Sequence, residues 1–167
     1  MKKIFLTIAV STLLMNVNAQ NFGIRAGVDF ATAKADIDGF SISESETGIY
    51  IGFFAKLKIS ESFKIRPEAN YINIKDLDQI QIPILAEVGL GDKFNALAGP
   101  SFGFLLDTEE GSKSFNLGLD FGLSYDITEH FLVEARYSLG LSNLAEDNFY
   151  DASLKLHGIF VGIGYIF

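Results

Sequence analysis

The chain is predicted to be all-β: an eight-stranded antiparallel up-and-down transmembrane β-barrel preceded by a signal peptide. Three observations point there. Apolar residues recur at every second position, the period of a strand whose side chains alternate between two faces. Charged residues and glycines gather on the opposite parity. The alternating segments run roughly 9–13 residues, beyond the ~5–6 usual in soluble proteins and suited to a tilted bilayer crossing.

Met1-Lys2-Lys3 opens the chain with two cations, and Ile4 to Met15 is apolar apart from Thr7, Ser11 and Thr12. Val17-Asn18-Ala19 then offers a cleavage site before Gln20. This predicts a signal peptide over 1–19, too short for a comfortable membrane span, and a barrel domain over 20–167.

Eight strands follow. The first sets Phe22, Ile24, Ala26, Val28 and Phe30 against Gly23, Arg25, Gly27 and Asp29. The second sets Ile49, Ile51, Phe53, Ala55, Leu57 and Ile59 against Tyr50, Gly52, Phe54, Lys56 and Lys58. In the third, Phe63, Ile65, Pro67, Ala69 and Tyr71 alternate with Lys64, Arg66, Glu68 and Asn70. The fourth, 80–90, has Gln81, Leu85 and Glu87 on its minority face; the fifth, 94–104, has Asn95, Leu97, Gly99 and Gly103. The sixth, 115–125, alternates around Asp120; the seventh, 131–139, around Glu134 and Arg136; the eighth, 159–167, around Gly162 and Gly164. In the first seven, no charge falls on the apolar parity; Lys155, at the start of the last, is the exception and is expected near an interface.

Two architectures use such alternation. A soluble lipocalin-like ligand-binding barrel turns the apolar face inward; a transmembrane barrel turns it to lipid. Glycine decides between them. It is a poor residue for a solvent-facing strand, whereas a narrow lumen needs small residues beside Arg, Lys, Tyr50 and Phe160. Bulky Phe and Ile would overfill an eight-stranded interior. Connections agree with a lipid-facing wall: short turns fall at 60–62, 91–93 and 126–130, and longer loops at 34–47, 106–114 and 142–152. The connection at 75–78 is short for its end. Short turns are expected on the periplasmic rim and long loops outside, with aromatic girdles at both ends.

Composition narrows the chemistry. The 167 residues carry a formal charge of −8, falling to −10 once Lys2 and Lys3 leave with the signal peptide. An acidic chain lacks the electrostatic footprint of a nucleic-acid binder. Zero cysteines exclude disulfides, thiolate nucleophiles and Cys-based metal sites. Within the strands, Arg25, Lys56, Lys58, Arg66 and Arg136 face the same side as Asp29, Glu68, Glu87, Asp120 and Glu134, so a paired lumen charge network is expected; buried charges must be paired or solvated. A narrow ion or small-solute pore is the competing reading of those charges. Loop acids, among them Asp36, Asp38, Glu44, Glu46, Glu109, Glu110, Glu146 and Asp147, outnumber Lys34, Lys75 and Lys113. They could meet a basic extracellular partner or divalent cations, although no EF-hand spacing is present. His130 and His157 have no Ser–Asp partners in view, and the Glu109-Glu110 pair sits on a loop, so catalysis and cofactors are not expected.

Three segments carry a family resemblance: Ile80-Gln81-Ile82-Pro83-Ile84-Leu85-Ala86, Leu97-Ala98-Gly99-Pro100-Ser101-Phe102-Gly103-Phe104 and Glu134-Ala135-Arg136-Tyr137-Ser138-Leu139-Gly140-Leu141. In order and spacing they resemble the small outer-membrane barrels of Bacteroidota, the porin-family or PorT-like group, and more distantly OmpX- and OmpA-type barrels. The girdles here lack the Trp common in such proteins. The resemblance implies a Gram-negative outer-membrane location, a lipid environment and a structural or surface-interaction role. It also implies that Gly162, Tyr165 and Phe167 form a C-terminal insertion signal read by the barrel-assembly machinery, although Phe160 departs from the polar residue expected there.

Overall fold

The computed structural model describes residues 20–37, 40–75, 77–106, 113–145 and 153–167. The expected signal peptide lies outside the described residues, as do Asp38, Asp76, Asp107, Glu109, Glu110, Glu146, Asp147 and Asp151 among the expected loop acids. Eight strands form the wall: β1 Gln20–Ile37, β2 Phe40–Lys58, β3 Phe63–Ile74, β4 Leu77–Gly89, β5 Phe94–Leu105, β6 Phe115–Asp126, β7 Phe131–Gly140 and β8 Ser153–Ile166. Each pairs antiparallel with its chain neighbour, and β1 closes the barrel against β8 from Gly23↔Ile166 to Asp36↔Ser153.

The sidedness is that of an inside-out protein. Ile51, Phe53, Phe121, Leu123, Val161 and Ile163 point outward and are exposed. Among the described residues, 16 buried ones are polar or charged and 11 apolar. A lipocalin-like barrel needs the opposite arrangement, so that alternative fails on packing. Paired rings sit at both ends of the belt: Phe94–Tyr125 at 4.8 Å and Phe131–Tyr165 at 5.0 Å toward the short turns, Phe104–Phe115 at 5.4 Å toward the long connections.

The three short turns close alike. Ile59 N–H donates to the Phe63 carbonyl at 3.0 Å, Leu90 to Phe94 at 2.8 Å and Ile127 to Phe131 at 2.9 Å. Thr128 Oγ1 accepts from the backbone of His130 and Phe131, a hydroxyl-to-backbone motif that holds the third turn without glycine.

At the other end the structure departs from the sequence expectation. The stretch 34–47 is strand on both sides of residues 38 and 39: β1 and β2 pair from Gln20↔Leu57 to Ile37↔Phe40. β2 meets β3 only from Ile49↔Asn73 onward, so the tip of this hairpin stands above the rest of the wall, flanked on one side by β8. The outer face turns polar there, while the inward parity mixes alanines of β1 with Glu44 and Glu46 of β2. Below, the inward parity is charged and the outward parity apolar. Above, Ala31, Ala33 and Ala35 continue the inward parity beside Leu154, Leu156, Ile72 and Ile74, while Thr32, Lys34, Asp36, Ser41, Ser43 and Ser45 point outward. Thr32 and Ser45 bond across the outer face at 3.0 Å, and Ser41 donates to Asp36. A polar outer face reads as loop when lipid-facing parity is the only template; it is strand in water.

Candidate functional site

The chemistry of this barrel is inside it. Four buried cations, Arg25, Lys56, Arg66 and Arg136, and five buried carboxylates, Asp29, Glu68, Glu87, Asp120 and Glu134, point into the lumen. They reach it by strand parity, and glycines on neighbouring strands give them room. A Cβ on Gly122 would stand 2.7 Å from Arg136 Cγ, and one on Gly162 would stand 3.0 Å from Tyr50 Cζ.

Five of these charges form one layer. Glu68 accepts from Arg25 Nη1 and, at 2.9 Å, from Arg136 Nη1, and pairs ionically with Arg66 Nε at 2.9 Å. Glu134 takes Arg66 Nη2 at 2.7 Å and lies beside Arg25 Nη2 and, at 3.8 Å, Arg136 Nε. All five side chains are fully excluded from solvent (0% exposed). Two carboxylates thus share three guanidiniums, whose planar forks suit multiple carboxylate contacts. Each guanidinium also lies over a ring: Arg25 over Tyr50 at 4.5 Å, Arg66 over Phe54 at 4.3 Å and Arg136 over Phe160 at 5.8 Å. Desolvation makes such contacts worth about 2 kcal/mol each, against about 0.5–1 at a surface.

Apolar layers close over it on both sides. Phe54, Leu132 and Ile166 pack together toward the short turns, and Tyr50, Ile72, Ile74 and Phe160 toward the long connections, with Tyr50 and Phe160 edge to face at 5.4 Å. Strand parity alone places Tyr50, Phe54, Leu132 and Phe160 in the lumen but does not assign them this sealing role. The signal for it is present in the sequence: bulky apolar residues on the same parity as the charges.

A second ionic group guards the short-turn mouth. Glu87 Oε1 accepts from Lys64 Nζ at 2.9 Å and pairs ionically with Lys56 Nζ at 3.1 Å, and Lys56 stands 3.7 Å from Asp126. Lys64, which shares the lumen parity in the sequence, and Asp126, expected in a turn, join the charges here. Lys58 does not join them. It shares the lumen parity but lies past the rim, 41% exposed, donating to Glu61 at 2.9 Å and holding that turn carboxyl below its ordinary pKa. Asp29 and Asp120 also stand apart from the expected pairing. Both are buried in the lumen and neither makes an ion pair among the described residues, although Asp120 Oδ1 accepts from Ser138 at 2.6 Å. Among the described residues no three His, Asp or Glu side chains gather as a metal-holding group.

The proposed terminal signal is built into the closing seam. Phe167 N–H donates to the Phe22 carbonyl at 2.9 Å and Ile166 N–H to that of His130 at 2.7 Å. Tyr165 faces outward beside His130, Phe131 and Phe167, whereas Gly162 faces inward beneath the Tyr50 ring.

A family model described as an outer membrane protein beta-barrel domain matches residues 76–146. A search of the curated proteins finds no match. Among solved structures, the fold is similar to Ail, the attachment invasion locus protein of Yersinia pestis, in its complex with the heparin analogue sucrose octasulfate. The two are 14% identical over 89% of this chain and 99% of that one, with a TM-score of 0.54. Neisserial surface protein A is 16% identical over 90% of this chain and 100% of that one, at 0.52. A de novo designed transmembrane β-barrel is 10% identical over 88% of this chain and 95% of that one, at 0.53. At these identities the likeness is one of fold: a closed eight-stranded barrel of the kind built to cross a membrane.

Proposed function

We propose that the protein is an outer-membrane barrel of a Gram-negative bacterium with a structural or surface-interaction role, non-catalytic and non-conducting. One observation carries this reading: an unbroken apolar outer belt encircles a lumen closed by the Arg25–Glu68–Arg66–Glu134–Arg136 layer and its apolar covers. Nothing in water would stabilise that belt, and among the described residues the fully buried layer leaves no continuous aqueous path. Residues 1–19 serve as the export signal, and Gly162, Tyr165 and Phe167 serve the barrel-assembly machinery during insertion. The protruding β1–β2 hairpin and the acidic connections are then the parts offered to an extracellular partner. Placement in the Bacteroidota porin-family or PorT-like group rests on the three strand segments quoted above.

The test is fractionation with heat-modifiable gel mobility. Recovery in the outer membrane, migrating faster unboiled than boiled, is the expected result; recovery as a soluble periplasmic monomer overturns the reading. The pore alternative is separated by planar-bilayer recording, where the sealed lumen gives no discrete conductance steps.

A further inference from the structure

The lumen charges do not cancel: four buried cations face five buried carboxylates. The surplus lies on the long-connection side of the arginine layer, where Asp29 and Asp120 have no cationic partner among the described residues. A chamber opens there, lined by Asp29, Gln81, Asn116, Ser138, Gly158 and Phe160, among others.

Its polar atoms are arranged as acceptors. Asp29 is 3% exposed and its Oδ1 has no hydrogen-bond partner; Gln81 is 3% exposed and its Oε1 has none; Asp120, 0% exposed, lies behind Ser138 and does not line the chamber. The carboxylates converge on one serine. Asp29 Oδ1 lies over Gly158, where a Cβ would stand 2.6 Å away, so the missing side chain lets Asp29 lean across β8. Gly158 is the β8 register partner of Ser138 on β7, which donates to Asp120 Oδ1 and receives Gln81 Nε2 at 3.4 Å. Antiparallel partners sit about 5 Å apart, so Asp29 and Asp120 flank Ser138 from opposite sides. The Gln81 amide directs its N–H to Ser138 and leaves its carbonyl oxygen facing the chamber.

We propose that this chamber binds a calcium-sized hard cation at Asp29, with Gln81 Oε1 and the Ser138 hydroxyl as neutral oxygen donors and Asp120 behind Ser138 adding its negative charge. The open volume is about 30 Å³. One water requires roughly 10–15 Å³ on that measure, so the space takes an ion with one or two waters and no organic ligand. Carboxylate and amide oxygens in irregular positions suit Ca²⁺, which accepts 6–8 ligands flexibly; Mg²⁺ demands a strict octahedron and gives up its waters reluctantly. The bound ion links β1, β4 and β7 just above the arginine layer.

The test is calorimetry of the chain folded in detergent micelles, titrated separately with Ca²⁺, Mg²⁺ and Na⁺. Folding of every variant is checked by heat-modifiable mobility. One Ca²⁺ per barrel is expected, with affinity reduced at least tenfold by Asp29→Asn and by Asp120→Asn, reduced by Gln81→Leu, and unchanged by Glu44→Gln/Glu46→Gln on the exposed hairpin. Heat-resistance of the folded form should rise with Ca²⁺ in the parent and not in Asp29→Asn. No heat above the micelle blank overturns the proposal. So does Ca²⁺ heat that survives Asp29→Asn, which assigns binding to the outer acids, and so does Mg²⁺ binding as tightly as Ca²⁺.

Discussion

Replacing Glu68 by Gln tests whether the buried layer holds the barrel together. The carboxylate accepts from Arg25, Arg136 and, at 3.2 Å, Asn70 Nδ2, and pairs ionically with Arg66, in a space sealed from water. The Glu68→Gln variant would keep the shape and one acceptor oxygen but lose the charge. Three guanidiniums would then share Glu134, with Glu87 3.7 Å from Arg66 as the next carboxylate. Removing one partner of a buried ion pair costs about 3–5 kcal/mol, chiefly because charge is left uncompensated where water cannot reach it. The retained amide oxygen puts Glu68→Gln at the lower end, about 3 kcal/mol, roughly a hundredfold in the folding equilibrium constant. Urea titration of the barrel in micelles, read by gel mobility and by the near-ultraviolet signal of the tyrosines, measures it. Glu61→Gln, in an exposed turn pair, is the control and should leave the midpoint in place.

Burying the network carries a desolvation cost, so deleting a matched pair should be gentler than deleting one member. Glu68→Met with Arg136→Met removes one charge of each sign, and it should recover part of the loss seen in Glu68→Met alone. A Glu68→Gln barrel as stable as the Glu61→Gln control, or a double variant no better than the single, refutes the claim that charge balance governs this layer.

Two further predictions concern the wall. Ile51→Arg, in the middle of the outer belt, should cost about 2–4 kcal/mol in lipid vesicles, whereas Ser43→Arg, on the outer face of the hairpin above the belt, should leave folding unchanged; equal effects would mean that the belt boundary is misplaced. Gly99→Ala should destabilise by about 1–3 kcal/mol, because its Cβ would stand 2.9 Å from the Leu85 Cα and against the Ile84 carbonyl, backbone that cannot step aside. Gly91→Ala, with nothing within 4 Å, is the matched control in the same urea titration.

Strand number, parity and sidedness are legible because each rests on a local rule: alternation has a period of two, and a lipid-facing residue cannot carry a charge. The eight-stranded barrel from Phe22 to Phe167 follows from that rule together with the glycines on the charged parity and the alternation of short and long connections. What is illegible lies where a second solvent takes over. Thr32, Lys34 and Ser43 look like loop residues only if the outer face must be apolar, and beyond the belt it need not be. Lys58 shows the complementary error: parity assigns a face but not a depth, and two residues past Lys56 the lumen has ended. Pairing within the lumen is also beyond the sequence. Arg25 meets Glu68 and Arg66 meets Glu134 across the barrel, and the register that brings them together depends on closure of all eight strands.

Asp29 shows what the layering means for the molecule. It follows Arg25 by four residues on the same face of β1, yet Arg25 is ion-paired and Asp29 is not. The difference is vertical. The arginine layer lies between two apolar covers, and Asp29 sits on its outer side, beside Gly158 and Phe160. The arginine layer holds three guanidiniums and two carboxylates, so it carries an excess of one positive charge. An extra carboxylate pair outside that layer adds desolvation cost without adding a partner, and Asn at either position would fill the same volume without the charge. The wall places two glycines there, Gly158 beneath Asp29 and Gly118 against the hydroxyl of Ser101, which keep side chains out of the way. One carboxylate outside the layer would offset its excess charge, whereas Asp29 and Asp120 together exceed it; the cation proposed at Asp29 would give that carboxylate the partner it lacks and tie together the hairpin-bearing end of the barrel.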